Sequence, residues 1–257
     1  MPDYEFIDTH AHIYYDDLYT HINDLLADCN ENGISKIYMP NVDKESIDRM
    51  LELEERFPAK CIAMMGLHPC SVKEDFEQQL KLVEDWVSKR QFSAIGEIGI
   101  DYYWTREFDK QQEEAFHFQL DLAKKNDLPV AIHSRNSLDT VISILKNRKE
   151  SRYKGVLHCF TGTLPQAKEL IEMGLYLGIG GVVTFKNAGV DKVVAELDME
   201  NLVLETDSPY LSPVPYRGKP NSPVYLPIIA QKIAELKGVT IKEVAATTTE
   251  NAMKLFA

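Results

Sequence analysis

Eight short runs of strand character recur along this chain, and each is followed by a longer stretch of helical period. The runs are Phe6 to His10, Ile34 to Pro40, Cys61 to His68, Ala94 to Asp101, Leu128 to Ser134, Gly155 to Phe160, Leu175 to Gly181 and Leu202 to Asp207. Between them, stretches such as Leu18 to Asn32, Ile47 to Phe57, Phe76 to Lys89, Gln111 to Lys125 and Leu138 to Lys149 carry apolar residues three and four apart, with charges on the opposite side. Runs that are mostly apolar suit parallel strands buried on both faces. Strand then helix, repeated eight times, predicts one α/β domain over residues 1–257: a single (β/α)8 TIM-type barrel, with extra C-terminal helices at Leu226 to Lys237 and Ile241 to Phe256. A doubly wound open sheet is the alternative, but it gives no reason for polar residues at the end of nearly every strand. The Pro- and Gly-rich stretch from Ser208 to Pro223 predicts a long loop over the barrel mouth.

Composition narrows the function. With 257 residues and 44% hydrophobic content, the chain has ample material for a core and is not a disordered linker. Its longest apolar runs, such as Cys61 to Leu67, are too short to span a bilayer. The first seventeen residues lack a basic start and an apolar segment, so no signal peptide is expected and the chain reads as soluble and cytoplasmic. Cys29, Cys61, Cys70 and Cys159 show no CxxC spacing and read as free thiols. Lys and Arg number 28 against 40 Asp and Glu, a net charge of −12. Gripping duplex DNA over a broad face needs many cations. Any nucleic-acid contact must therefore be local, through a small basic rim or bound metal.

The chemistry-bearing residues collect at strand C-terminal ends: Asp8-Thr9-His10-Ala11-His12, Gly66-Leu67-His68-Pro69, Gly96-Glu97-Ile98-Gly99-Ile100-Asp101, Ile132-His133-Ser134-Arg135, Leu157-His158-Cys159-Phe160 and Glu205-Thr206-Asp207-Ser208-Pro209. In a barrel these ends converge on one face. Strand side chains two apart point the same way, so His10 and His12 can grip one ion, and Cys159 is expected to face the helices, away from His158. His10, His12, Glu97, His133, His158 and Asp207 make six ligands, too many for one closed tetrahedral ion. They suit two ions sharing Glu97 as a bridge: His10, His12, Glu97 and Asp207 on one, Glu97, His133 and His158 on the other. Imidazoles favour zinc, manganese or iron over magnesium by affinity, which leaves the resident divalent ion (Mg, Mn or Zn) open.

These motifs resemble the TatD family of metal-dependent deoxyribonucleases, within the amidohydrolase-like barrel group. The likeness continues through Tyr102-Tyr103, Thr161-Gly162, Thr184-Phe185-Lys186-Asn187-Ala188, Tyr210-Leu211 and the loop Pro213-Val214-Pro215-Tyr216-Arg217-Gly218-Lys219-Pro220-Asn221. The motifs run in family order through essentially the whole chain. The resemblance implies a TIM-type barrel, a divalent-metal site at the six positions above, and hydrolysis of DNA, often from the 3′ end. Thr161, where many relatives have Ser, is a slight departure that removes no ligand.

Around this core, His68 is either a loop-bonded histidine or a phosphate contact and proton donor. Asp101 reads as an acid that fixes a loop or a ligand rather than a ligand itself. Glu205 reads as a carboxylate that orients an imidazole or a water, as a proton acceptor alongside Asp207, or as half of a structural ion pair. Arg135, Lys186, Arg217 and Lys219 form the expected basic rim for phosphate. Tyr102, Tyr103 and Trp104 either pack as a lid or stack on a base of single-stranded or frayed 3′-end DNA. His21 and His117 read as surface or packing residues. The expected reaction is phosphodiester hydrolysis, with no membrane and no obligate protein partner. The same two-metal centre could instead open an amide, ester or lactone, including an aminoacyl ester on tRNA, because the ligands do not encode the leaving group. A binding protein whose ions only hold the barrel together is the third reading.

Overall fold

Parallel pairing carries the chain through its strands in sequence order. The computed structural model describes residues 2–149 and 152–257. Its strands are β1 (Phe6–Asp8), β2 (Ile34–Pro40), β3 (Cys61–Met64), β4 (Ile95–Asp101), β5 (Val130–Arg135), β6 (Gly155–Leu157), β7 (Leu175–Ile179) and β8 (Leu202–Leu204). The helices are α1 (Asp16–Tyr19), α2 (Ile22–Glu31), α3 (Ile47–Arg56), α4 (Phe76–Lys89), α5 (Asp109–Lys125), α6 (Leu138–Asn147), α7 (Leu164–Glu172), α8 (Val190–Glu196), α9 (Leu226–Lys237) and α10 (Ile241–Leu255). Continuous ladders join β1 through β3 and β4 through β8, and the parallel bridges Met65–Ile95 and Ala11–Ser208 link the two sets into a ring. This is the TIM-type barrel that the strand–helix alternation predicts.

Side chains reinforce both thin seams. At the β8–β1 seam, Asp8 accepts from the Thr206 N–H at 3.0 Å and the Thr206 hydroxyl at 2.6 Å, while the Thr9 N–H reaches Leu204 O at 3.0 Å. At the β3–β4 seam, Asn41 Nδ2 donates to Gly66 O at 2.7 Å and the Asn41 backbone carbonyl accepts the Glu97 N–H at 3.0 Å.

Alternate strand residues divide the core. Phe6, Ile37, Met39, Ile132 and Leu177 pack outward against the helices. Ile7, Tyr38, Met64, Ala94, Ala131, Val156 and Val203 form a separate inner cluster, completed by Ala252 and Leu255 of α10. These inner residues precede the histidines and acids on the same segments, so the lumen is filled with apolar side chains directly below the polar mouth.

Local differences from the sequence reading have physical causes. The predicted helix from Leu18 to Asn32 is divided at Thr20–His21, where the Thr20 hydroxyl bonds back to Asp16 O and ends α1. β1 and β6 stop at Asp8 and Leu157, before His10 and His158. Among the described residues no helix is long and apolar enough to cross a membrane.

Candidate metal centre

Glu97 stands in the middle of the mouth, and its two carboxylate oxygens face different partners. Oε2 lies 3.1 Å from His10 Nε2 and 3.4 Å from His12 Nε2. Oε1 lies 2.8 Å from His133 Nδ1 and 3.0 Å from His158 Nε2. Asp207 Oδ1 faces the first pair, 3.6 Å from His12 Nε2 and 3.8 Å from His10 Nε2. His158 lies between the two halves, its ring stacked on His10 with centroids 3.8 Å apart. Three groups here have ligand atoms close enough to hold an ion: His10, His12 and Glu97; His10, His158 and Asp207; and His68, Glu97 and His133.

Strand alternation delivers only part of this cluster. Ala131 and Val156 are inner residues, so His133 and His158, two positions on, continue towards the lumen axis. From Ala94 the same count would send Glu97 outward. The β4–β5 register, however, shifts between Ile95 and Ile98, and that irregularity re-aims Glu97 inward. β1 has a similar shift at Phe6–Ile7 and ends at Asp8, so His10 and His12 are placed by the segment that bridges to Ser208.

Hydrogen bonds behind His12 and His133 decide which nitrogen each presents. The Tyr14 hydroxyl donates to Pro40 O at 2.6 Å, so towards His12 Nδ1, 2.7 Å away, it can only accept. Once neutral, His12 therefore keeps its proton on Nδ1 and leaves Nε2 free for an ion. His133 Nε2 lies 3.0 Å from Asp101 Oδ2, leaving Nδ1 for the centre. His158 Nδ1 lies 3.4 Å from Glu205 Oε1, which also accepts the Cys159 N–H at 2.5 Å. Such carboxylate and hydroxyl partners behind ligating imidazoles fix ring orientation and raise basicity. His10 Nδ1 and His158 Nδ1 are both buried without a hydrogen-bond partner, Glu205 standing at ion-pair distance from the latter.

His68 differs. Its Nδ1 accepts the Cys70 N–H at 3.0 Å, so the neutral ring must carry its proton on Nε2, which lies 3.3 Å from Glu97 Oε1. His68 thus offers a donor where His12 and His133, once neutral, can offer lone pairs. Burial lowers its pKa, with the neighbouring His133 adding to the effect, which keeps the ring neutral.

Electrostatics follow the same division. Burial alone would raise the Glu97 pKa, but His68, His158 and His10 outweigh it and hold the carboxylate well below its usual range. Asp207 is likewise pulled down against burial, chiefly by the hydrogen bond from His12. Burial would lower His12, yet the bonds to Asp207 and Glu97 raise it to about 9. His133 is raised and His158 raised strongly, in each case because carboxylates overcome burial. Asp101 sits near 2, burial being outweighed by His133 and the Tyr103 N–H. Anionic carboxylates holding protons on imidazoles are what a cation site looks like before a cation displaces those protons. The nitrogen and oxygen donors suit zinc, manganese or iron on affinity, and the residues fit a divalent ion.

The centre floors a cavity of about 590 Å³ lined by His12, His68, Glu97, His133, His158 and Asp207, with Tyr15, Trp104, Arg135, Tyr210 and Leu211 among its walls. Arg135 lies in that wall, its guanidinium 3.7 Å from the Tyr103 ring centroid. Lys186, Arg217 and Lys219 are exposed but do not line the cavity, and Arg217 packs over Phe185. Glu205 is fully buried and also lies outside the lining, so it meets the site through His158 and the Cys159 N–H. Asp101 does line the cavity, behind His133. Cys159, expected to face the helices, lines both this cavity and the adjoining one beside Leu138 and Gln166, because β6 ends at Leu157 and Cys159 takes a left-handed turn with φ of 46°. Burial, with Asp207 adding, raises its thiol pKa. Tyr14 was not evident from the sequence, although its position two residues after His12 continues the same spacing.

Residues 7–257 match the family described as TatD related DNase. A Bacillus subtilis protein named as an uncharacterized metal-dependent hydrolase, YabD, is 38% identical over 250 residues, covering 97% of this chain and 98% of its own. YcfH of Escherichia coli, named likewise, is 33% identical over 258 residues, covering 97% and 95%. The crystal structure of YjjV, a TatD homolog from Escherichia coli, superposes with a TM-score of 0.92 at 31% identity, covering 98% of this chain and 97% of that one.

Proposed function

As the chain belongs to the TatD family of metal-dependent hydrolases, we propose that it hydrolyses phosphodiester bonds of DNA, working inward from single-stranded or frayed 3′ ends with two divalent ions. The observation that carries this reading is the division of Glu97, one oxygen towards His10 and His12 and the other towards His133 and His158. Glu97 would bridge two ions, His10, His12 and Asp207 would complete one site, and His133 and His158 the other. When bound, such a pair supplies Lewis acidity at a phosphoryl oxygen and makes water a nucleophile near neutral pH.

The chain's own groups complete the reaction. Asp207, an ionised carboxylate in the cavity wall, accepts the proton of the attacking water. His68, neutral with its proton on Nε2, donates to the leaving sugar oxygen. Arg135, held by the Tyr103 ring, offers its planar fork to a nonbridging phosphate oxygen pair. Glu205 orients His158 from behind. Trp104 and Tyr210, 69% and 53% exposed, stand in the cavity wall as platforms for an unpaired base. Lys186 and Arg217, outside the cavity, would meet the phosphates of a longer strand.

The test is a manganese-titrated assay on single-stranded, duplex and 3′-blocked oligonucleotides, with acyl esters, amides and lactones in parallel. Metal-dependent shortening of the unblocked single strand is expected. Turnover of the acyl panel alone would transfer the centre to carboxyl-ester or amide hydrolysis.

A further inference from the structure

Two glutamines on α5 are almost wholly buried, Gln112 and Gln119, each 1% exposed. They lie seven residues apart, two turns along one helix face. Neither lines the cavity. Gln112 Oε1 accepts the Asp101 N–H at 2.9 Å and its Nε2 donates to Asp101 O at 3.1 Å. Gln119 Oε1 accepts the Leu67 N–H at 2.7 Å and its Nε2 donates to Leu67 O at 3.1 Å. Each carboxamide closes a two-bond ring on the N–H and C=O of one residue, as a directly paired antiparallel strand residue would.

We propose that Gln112 and Gln119 are positioning residues that register the metal centre to α5: Gln112 sets Asp101 and through it His133, and Gln119 sets Leu67 and through it His68. The inference rests on the reading of this mouth as a metal centre. Asp101 Oδ2 is the partner of His133 Nε2 at 3.0 Å, so a displaced Asp101 loosens the ring that turns Nδ1 to Glu97. Leu67 directly precedes His68, whose Nε2 must stay 3.3 Å from Glu97 Oε1. Only a carboxamide serves both positions. A carboxylate would set an oxygen against the Asp101 or Leu67 carbonyl, and an apolar chain would leave a buried N–H and C=O unpaired on each residue. One helix face thereby couples a putting-in-place of the metal side of the centre to that of its proton donor.

Gln112→Met and Gln119→Met keep chain length and remove the bonds. Two readouts serve, long-range ¹H–¹⁵N correlation of the imidazoles in the metal-free protein and manganese affinity by calorimetry, followed by kcat and KM on oligonucleotide. Gln112→Met should shift the His133 nitrogens and weaken manganese binding about tenfold, the scale of outer-partner losses at metal sites. Gln119→Met should shift the His68 nitrogens, leave manganese affinity within about twofold, and lower kcat about tenfold at unchanged KM, taking the same scale. If either variant fails to fold, Gln112→Asn or Gln119→Asn, which keep a neutral carboxamide but draw it back from the Asp101 or Leu67 backbone, ask the same question. Wild-type imidazole spectra and affinity in both variants would overturn the proposal, as would parallel loss of every readout with Tm. Absence of DNA turnover in the wild type would count against the proposed activity alone, since the imidazole and manganese readouts need no substrate.

Discussion

At the residue scale, one carboxylate does what none of its neighbours can. Glu97 is the ion-pair partner that His10, His12, His68, His133 and His158 share among the described residues. Glu97→Gln removes the charge without changing the volume. It should leave the barrel folded by circular dichroism, abolish tight manganese binding by calorimetry and reduce turnover at least a hundredfold; retained manganese affinity would sink the bridging assignment. Tyr14→Phe leaves His12 Nδ1 and Pro40 O each without a partner. Chemical denaturation should show a loss of about 1–3 kcal/mol, with manganese affinity falling about tenfold. Protonation gives a third outcome. His12 titrates near 6.5 when unfolded and about 9 in the metal-free fold, so its stabilising contribution is complete below about pH 6.5 and fades towards pH 9. A divalent ion needs that ring neutral and binds better as pH rises. The rise in Tm caused by manganese should therefore grow from pH 6 to pH 9. A flat or shrinking increment would rule out imidazole protons as the competitor.

At the element scale, strand ends and loops are held by buried groups that contact two backbones at once. Asn221 Nδ2 donates to Thr206 O at 2.6 Å and Tyr210 O at 2.5 Å, tying the mouth loop to the segment that carries Asp207. β7 approaches so closely at Gly178 that an added Cβ would lie 2.2 Å from Glu205 Oε2. Glu205 cannot swing away, because it is buried and holds both the Cys159 N–H and His158. Gly178→Ala should therefore displace His158, costing about 1–3 kcal/mol of stability by overpacking and weakening manganese binding. An alanine variant with wild-type affinity and Tm would show that the Glu205 contact is slack.

At the scale of the whole molecule, a net charge of −12 surrounds a mouth with one cavity-lining arginine. Polynucleotide affinity should then come from few phosphate contacts. For one or two contacts on a single strand, log(kcat/KM) should fall against log salt with a slope of roughly −0.7 to −1.4, and Arg135→Ala should flatten it by about 0.7. A slope several times steeper would mean that a wider basic surface, such as Lys186 and Arg217, engages the strand.

Much of this was legible in the chain alone, because it follows from local covalent periodicity. Apolar runs alternating with amphipathic stretches determine the barrel, and histidines and acids at the ends of those runs can only gather at one mouth. His133 and His158 follow directly from strand alternation. The tertiary structure decided the rest. Glu97 faces inward because the β4–β5 register slips between Ile95 and Ile98, and Cys159 reaches the cavity because β6 stops at Leu157, short of Phe160. Which nitrogen His12, His133 and His68 present depends on Tyr14, Asp101 and the Cys70 N–H. Arg135 reaches the cavity while Lys186 and Arg217 do not. A period can be counted along one chain, whereas register slips, tautomers and reach are set by atoms distant in sequence that meet only when the ring closes.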